Sequence, residues 1–215
     1  MSTIPGGASN AQRDGGSRRA DGLRRALAAG EASDRLQAAL AAGTRPDDAY
    51  LEPLVERCSV EPDFYVRDML TWALTRLPLE LVLPRVIAET SAVLPQARSQ
   101  ALHTLSKLGD ARGWPAITGA HLHDPDDEVA RAAWRTAAGL APDEDRPALA
   151  RELALELGRG DLDVMRSLSR ALVELGDDAG PALRAATIGE GELAVKHARA
   201  TLRLAEDPEA SFVLE

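Results

Sequence analysis

DPDDEVARAAWRTAAGL, residues 124–140, carries the pattern on which the fold turns. Asp126 stands three residues before Val129, and the apolar residues Ala133, Ala137 and Leu140 follow Val129 at offsets of 4, 8 and 11. These offsets share one face of a 3.6-residue helix, so the segment reads as an amphipathic helix with one buried stripe and a carboxylate cap at its start. The stripe recurs from Val66 (Leu70, Leu74, Leu77), Ala97 (Ala101, Leu105, Leu108), Val164 (Leu168, Leu172, Leu175) and Ala194 (Ala198, Leu202, Ala205). Asp63 and Asp161 repeat the cap, while Gly109 and Gly176 follow the last core residue of their helices, where a left-handed residue often ends a helix.

Upstream of each stripe stands a proline: Pro53, Pro84, Pro115, Pro147 and Pro181, spaced 31, 31, 32 and 34 residues apart. Two residues after each comes an aliphatic side chain, Val55, Val86, Ile117, Leu149 or Leu183, so a first helix with an early proline precedes each second helix. Five helix-turn-helix repeats then cover residues 47–207. A degenerate N-terminal helical cap is expected at 21–46, with Leu23 and Leu27 on one short helix and Ala32, Leu36 and Leu40 on the next. Residues 1–20, rich in Gly, Ser and Arg, read as a disordered tail, and 208–215 as a C-terminal tail.

A paired-helix repeat of this length, with an early proline and an Asp-x-x-Val-Arg start to its second helix, resembles the HEAT-repeat family, bacterial type. Residues 63–67 and the turn at 124–129 carry the resemblance best, and Ala130, Met165 and Val195 replace the usual arginine in later repeats. The resemblance implies an all-α, right-handed α-solenoid whose second helices line a concave binding face.

Composition fits. Hydrophobic residues make up 45% of the 215, but aromatics only 3%, so Ala, Leu and Val must fill the interior. A net charge of −9 disfavours a dedicated nucleic-acid binder, though it leaves the distribution of charge open. The only cysteine, Cys58, excludes an intrachain disulfide and falls among core positions. No signal pattern or membrane span is read, and a cytoplasmic location is expected.

Sequence evidence for catalysis is weak, and no catalytic residue, metal or cofactor is expected. No Walker loop, nucleophile elbow or dinucleotide fingerprint occurs. His121 and His123 beside Asp124, Asp126 and Asp127 form the one cluster that hints at a metal. Residues two apart on a helix do not face the same way, and acids in a helix-helix turn are ordinary caps. Some HEAT-like enzymes hold a di-iron centre on repeated His-Glu pairs, and no His-Glu dipeptide occurs here. Arg159-Gly160-Asp161 reads as a turn ending in a cap rather than an adhesion signal.

The face opposite each stripe lies at offsets 2, 6 and 9. Offset 2 gives Asp68, Ser99, Arg131, Arg166 and Lys196; offset 6 gives Trp72, His103, Arg135, Arg170 and Ala200; offset 9 gives Thr75, Ser106, Ala138, Val173 and Arg203. The last three repeats thus place six cations and no acid on this ridge, in a chain that is acidic overall. The leading expectation is a non-catalytic scaffold whose concave face, formed by Asp68, Trp72, His103, Arg131, Arg135, Arg166, Arg170, Lys196 and Arg203, binds an acidic protein segment or other polyanion. The alternative is a DNA-binding enzyme resembling the HEAT-like alkylpurine DNA glycosylases. That resemblance would give catalytic roles to Asp68 and Trp72 and phosphate contacts to Arg131, Arg135, Arg166 and Arg170.

Overall fold

A computed structural model describes residues 10–207, 209 and 211–215, with side chains from residue 14 onward. Every regular element among the described residues is helical, so the expected all-α array of helix-turn-helix repeats is what the chain forms. It divides into two compact units, residues 1–86 and 87–215.

The first unit contains α1 (Asn10–Leu27), α2 (Ala32–Thr44), α3 (Leu51–Cys58), α4 (Phe64–Thr75) and most of α5 (Leu79–Glu89). Its core joins Leu23 and Leu27 of α1, Leu54, Val55 and Cys58 of α3, and Val66, Leu70 and Leu74 of α4. Two expectations change here. Residues 10–20, read as tail, belong to α1, where Arg19 pairs with Asp47 at 2.6 Å and Arg24 with Glu56 at 2.7 Å. Residues 1–9 lie outside the described residues. In α2 the buried positions are Arg35, Ala39, Ala42 and Gly43, whereas Leu40 is exposed. Helix α2 is turned so that Arg35 reaches the buried carboxylate of Glu61, which accepts from it at 2.7 and 2.8 Å.

The second unit holds α6 (Pro95–Leu108), α7 (Gly119–Leu122), α8 (Asp127–Leu140), α9 (Arg146–Ala154), α10 (Leu162–Glu174), α11 (Gly180–Ala186) and α12 (Glu192–Glu206). The second helices α6, α8, α10 and α12 pack in series, with the small residues Ala133 and Ala137 of α8 buried at the close approach. Asp126 accepts from the amides of Glu128 and Val129, and Asp161 from those of Asp163 and Val164, just as Asp63 accepts from Val66 in the first unit. Gly109 and Gly176 adopt positive φ of 64° and 63° where their helices end. The prolines are less uniform than their spacing suggests. Pro147 and Pro181 sit in the first turn of α9 and α11, but Pro84 lies inside α5 and Pro115 inside a 3-10 turn at Ala111–Ala116.

An arginine joins the turns. Arg67 donates to the carbonyls of Glu61 and Pro62, and Arg98 to those of Ala92 and Val93 while pairing with Asp124 at 2.9 Å. Arg35 does the same at the carbonyls of Ala29 and Gly30. Ala130 cannot, and Arg159 from the following turn donates instead to Asp127 and to the Asp124 carbonyl.

The last repeat departs from its expected register. Ala200, expected on the ridge, is buried, while Ala205 is exposed. A polar network fixes the rotation of α12. The Gly158 amide donates to Nδ1 of His197, so Nε2 carries the ring proton and faces the Met165 carbonyl and Ser169 Oγ, each at 3.0 Å. Thr201 donates to the His197 carbonyl and lies 2.7 Å from Ser169 Oγ, which satisfies every buried polar atom in the cluster.

Candidate functional site

The ridge residues fall in both units. Asp68 and Trp72 lie on α4 of the first unit, both exposed; Trp72 is 38% exposed, with its ring seated against Gly43. In the second unit, His103 is half-buried on α6, and Arg131, Arg135, Arg166, Arg170, Lys196 and Arg203 follow on α8, α10 and α12. Ala138, expected beside them, is buried.

Side-chain partners divide the cations. Arg131 donates to Glu128 at 2.8 Å and to Ser167 Oγ at 2.9 Å; Arg166 pairs with Asp163 at 3.1 Å and Lys196 with Glu192 at 2.8 Å. Arg203 donates to the Val213 carbonyl. Arg135 and Arg170 are both exposed, and among the described residues neither makes a hydrogen bond or ion pair. They flank a recess of about 270 Å³ between α8 and α10, lined also by Arg131, Ser167, Ala171 and Glu174.

Burial and charge crowding both act on this recess, burial the more strongly. Burial by its neighbours lowers the pKa of Arg135 from its ordinary value even though the residue reaches solvent, and the adjacent charges of Arg131 and Arg170 lower it further. Glu128 and Glu174 oppose that shift. A guanidinium crowded by like charges and making no ion pair gains from an anion that enters, because the anion screens the repulsion and accepts hydrogen bonds in pairs. Sequence reasoning located the cations but missed Ser167 and Glu174, at offsets 3 and 10 on α10. Both were legible as polar residues facing the groove between two second helices.

Trp134, at offset 5 from Val129 and so off the ridge, is fully buried, and its Nε1 donates to the Leu122 carbonyl at 2.8 Å. The His-Asp cluster at 121–127 disperses to separate partners. His121 takes the Thr118 amide and faces the Thr90 carbonyl, Asp124 pairs with Arg98, Asp126 caps α8, and Asp127 pairs with Arg159. No group of three or more His, Cys, Asp or Glu that could hold a metal ion occurs among the described residues.

His123 lies 2.5 Å from Glu156 and 3.0 Å from Glu152, and these bonds raise its pKa above the ordinary 6.5. Burial alone would raise the Glu156 carboxyl, but His123 and Arg159 hold it below its ordinary 4.5. His197 is the opposite case: burial pushes it down to about 4, against the Met165 carbonyl. The signs follow by linkage. His123 stabilises the fold fully below 6.5, and its contribution is lost as pH rises through the raised pKa. Neutral His197 contributes above 6.5, and that contribution is lost as pH falls toward 4. Glu156 contributes above 4.5 and loses its contribution through its lowered pKa. Melting temperature measured against pH should therefore fall on both sides, and His123→Gln should flatten the alkaline limb while also weakening the acid limb through Glu156, which loses one of the bonds that lower its pKa. An unchanged alkaline limb in that variant would contradict the assignment.

No family model and no curated protein matches this chain. Among solved structures it is similar to an engineered protein at 18% identity, covering 87% of this chain and 96% of that one with a TM-score of 0.47. It is also similar to human deoxyhypusine hydroxylase, solved with glycerol, at 14% identity, covering 94% of each chain with a TM-score of 0.47. Activity does not follow from likeness of this order. One expectation is nevertheless corrected. The expectation of a non-catalytic chain does not stand, since one of these similar structures carries an enzyme's name; no activity passes from it to this chain. No helix among the described residues is long and apolar enough to cross a membrane.

Proposed function

We propose that the α8–α10 face is a receptor for an acidic segment of a partner protein or another polyanion of like charge density. One observation carries the reading: Arg135 and Arg170, exposed and unpartnered, flank the same recess, with Arg131 beside them. Surface cations on a helix often find a carboxylate within it, as Glu128, Asp163 and Glu192 supply for Arg131, Arg166 and Lys196 on this ridge. Two that do not, in an acidic chain, leave a concentrated anion site. Planar guanidinium groups on neighbouring helices can each take a carboxylate through two parallel bonds.

The test is titration of a fluorescent deca-glutamate peptide followed by anisotropy. Arg135→Glu/Arg170→Glu should weaken binding by about 100-fold or more, since two charged hydrogen-bond sets are lost, each worth about 1.5–3 kcal/mol, and tenfold is about 1.4 kcal/mol. Raising salt from 50 to 300 mM should also weaken it, because exposed pairs are screened. Affinity unmoved by the double reversal would rule the site out. If single-stranded DNA binds with a log-log salt slope of about −0.7 per phosphate and displaces the peptide, the natural ligand is a nucleic acid.

A further inference from the structure

The far end of the ridge is already occupied. Residues 211–215 follow α12 without regular structure, and Phe212 and Val213 touch side chains of α10 and α12. The Phe212 ring stands edge-on to His197, with centroids 5.7 Å apart at 86°, and the Arg166 guanidinium lies 5.9 Å from the centroid of the same ring. Arg203 donates to the Val213 carbonyl. Two ridge cations, Arg166 of α10 and Arg203 of α12, thus touch residues 212 and 213 of the same chain. A charged donor on a peptide carbonyl and a guanidinium over an aromatic face are the contacts by which a groove holds an extended peptide.

We infer that Ser211–Val213 is an intramolecular ligand of the α10–α12 end of the ridge, competing there with the acidic partner segment. The inference rests on the proposed anion receptor, which it extends. Arg166 lies one turn from Arg170 on α10, so a segment that enters the recess and runs toward α12 meets Phe212 and the Val213 carbonyl in its path. The hold is light. Phe212 is only half-buried and Val213 is 44% exposed, so nothing encloses the segment. The tail also describes the ligand that fits: an aromatic residue followed by an aliphatic one, with carboxylates nearby, as Asp207, Glu209 and Glu215 flank Phe212-Val213 here. A partner with that chemistry would take the acid sites at Arg135 and Arg170 and displace Phe212 from between Arg166 and His197. Binding and opening would then be one equilibrium, in which occupancy by the tail lowers apparent affinity for the partner.

The experiment uses the full chain, the Phe212→Ala variant and a chain ending at Asp207, each titrated with fluorescent deca-glutamate. Expected is an affinity about tenfold higher for the shortened chain, equivalent to about 1.4 kcal/mol, with Phe212→Ala between the two. A labelled peptide of residues 207–215 should bind the shortened chain and be displaced by deca-glutamate, whereas its Phe212→Ala form should not bind. Equal deca-glutamate affinity in all three chains overturns the inference, as does failure of the 207–215 peptide to bind. If deca-glutamate binds none of the chains but the 207–215 peptide still binds the shortened one, the anion receptor fails while the tail's groove stands. Should the shortened chain lose its helical circular dichroism, Phe212→Ala in the full chain decides, with unchanged affinity as the overturning result.

Discussion

Replacing Trp134 by alanine is expected to cost about 3–5 kcal/mol, the range for truncating a fully buried large aromatic. Only 3% of the chain is aromatic, and Trp134 heads the fully buried side chains in volume, filling the joint where α8 meets the turn after α7. Its loss opens a cavity that neighbouring alanines cannot fill. It also strands the Leu122 carbonyl, which accepts the indole proton at 2.8 Å, and removes the ring beneath Arg159. Against a typical stability of about 5–15 kcal/mol, this change alone can bring the second unit close to unfolding. Urea denaturation would measure it, with Trp134→Phe losing markedly less because the ring volume is mostly kept. A cost below about 1 kcal/mol for Trp134→Ala would mean that the joint is not packed as described. Trp72→Ala, by contrast, removes a ring that is 38% in solvent and should cost less than Trp134→Ala.

Glu61→Ala is the second large effect. The Glu61 carboxylate is wholly buried and receives Arg35 through two bonds, Arg57 at 2.7 Å and the Asp63 amide at 3.0 Å. Burial alone would raise its pKa; the bonds from Arg35, the Asp63 amide and Arg57 overcome this and hold it at about 2. Removing one partner of such a pair leaves a charge in the interior, and about 3–5 kcal/mol is the expected loss. Replacing the more buried arginine together with the carboxylate, as in Arg35→Met/Glu61→Leu, should recover part of it, because desolvation offsets most of what that pair gains and the partly exposed Arg57 is left near solvent. The linkage sign is that of a lowered carboxylate: its contribution is present above 4.5 and lost as pH falls toward 2. Equal losses in the single and double variants would show that Glu61 acts through packing, not through charge.

Glu61 and Arg35 also mark where sequence reasoning stopped. The second-helix stripes from Val66, Ala97, Val129 and Val164 were legible because apolar periodicity and capping aspartates point to the same register. In α2 the register hinges on a buried arginine, which a hydrophobic pattern counts as surface, so Leu36 and Leu40 were placed inside instead. Yet Arg35, Arg67 and Arg98 stand 32 and 31 residues apart, and that spacing was the available signal. In α12 the rotation is set by His197, Ser169 and Thr201, polar residues whose mutual bonds do not show in a one-dimensional pattern. Helix α1, read as tail, owes its place to Arg19 and Arg24 meeting acids about 30 residues away. The candidate site was half legible. Offsets 2, 6 and 9 located the cations, and the intrahelical acids Glu128, Asp163 and Glu192 could have been read at spacings of three and four. That Arg135 has no acid three or four residues away is legible, whereas the failure of Arg170 to pair with Glu174, four residues on, is visible only in three dimensions.

The central claim, that these two guanidinium groups form the anion site, is tested most directly by nuclear magnetic resonance of the arginine side chains during titration with deca-glutamate. The expected result is saturable shifts of the Arg135 and Arg170 Nε–Hε signals, accompanied by backbone amides of α8 and α10 and reversed by added salt. The contradicting result is binding that leaves those two signals in place while others move, for example those of the exposed Arg18 and Arg25 on α1.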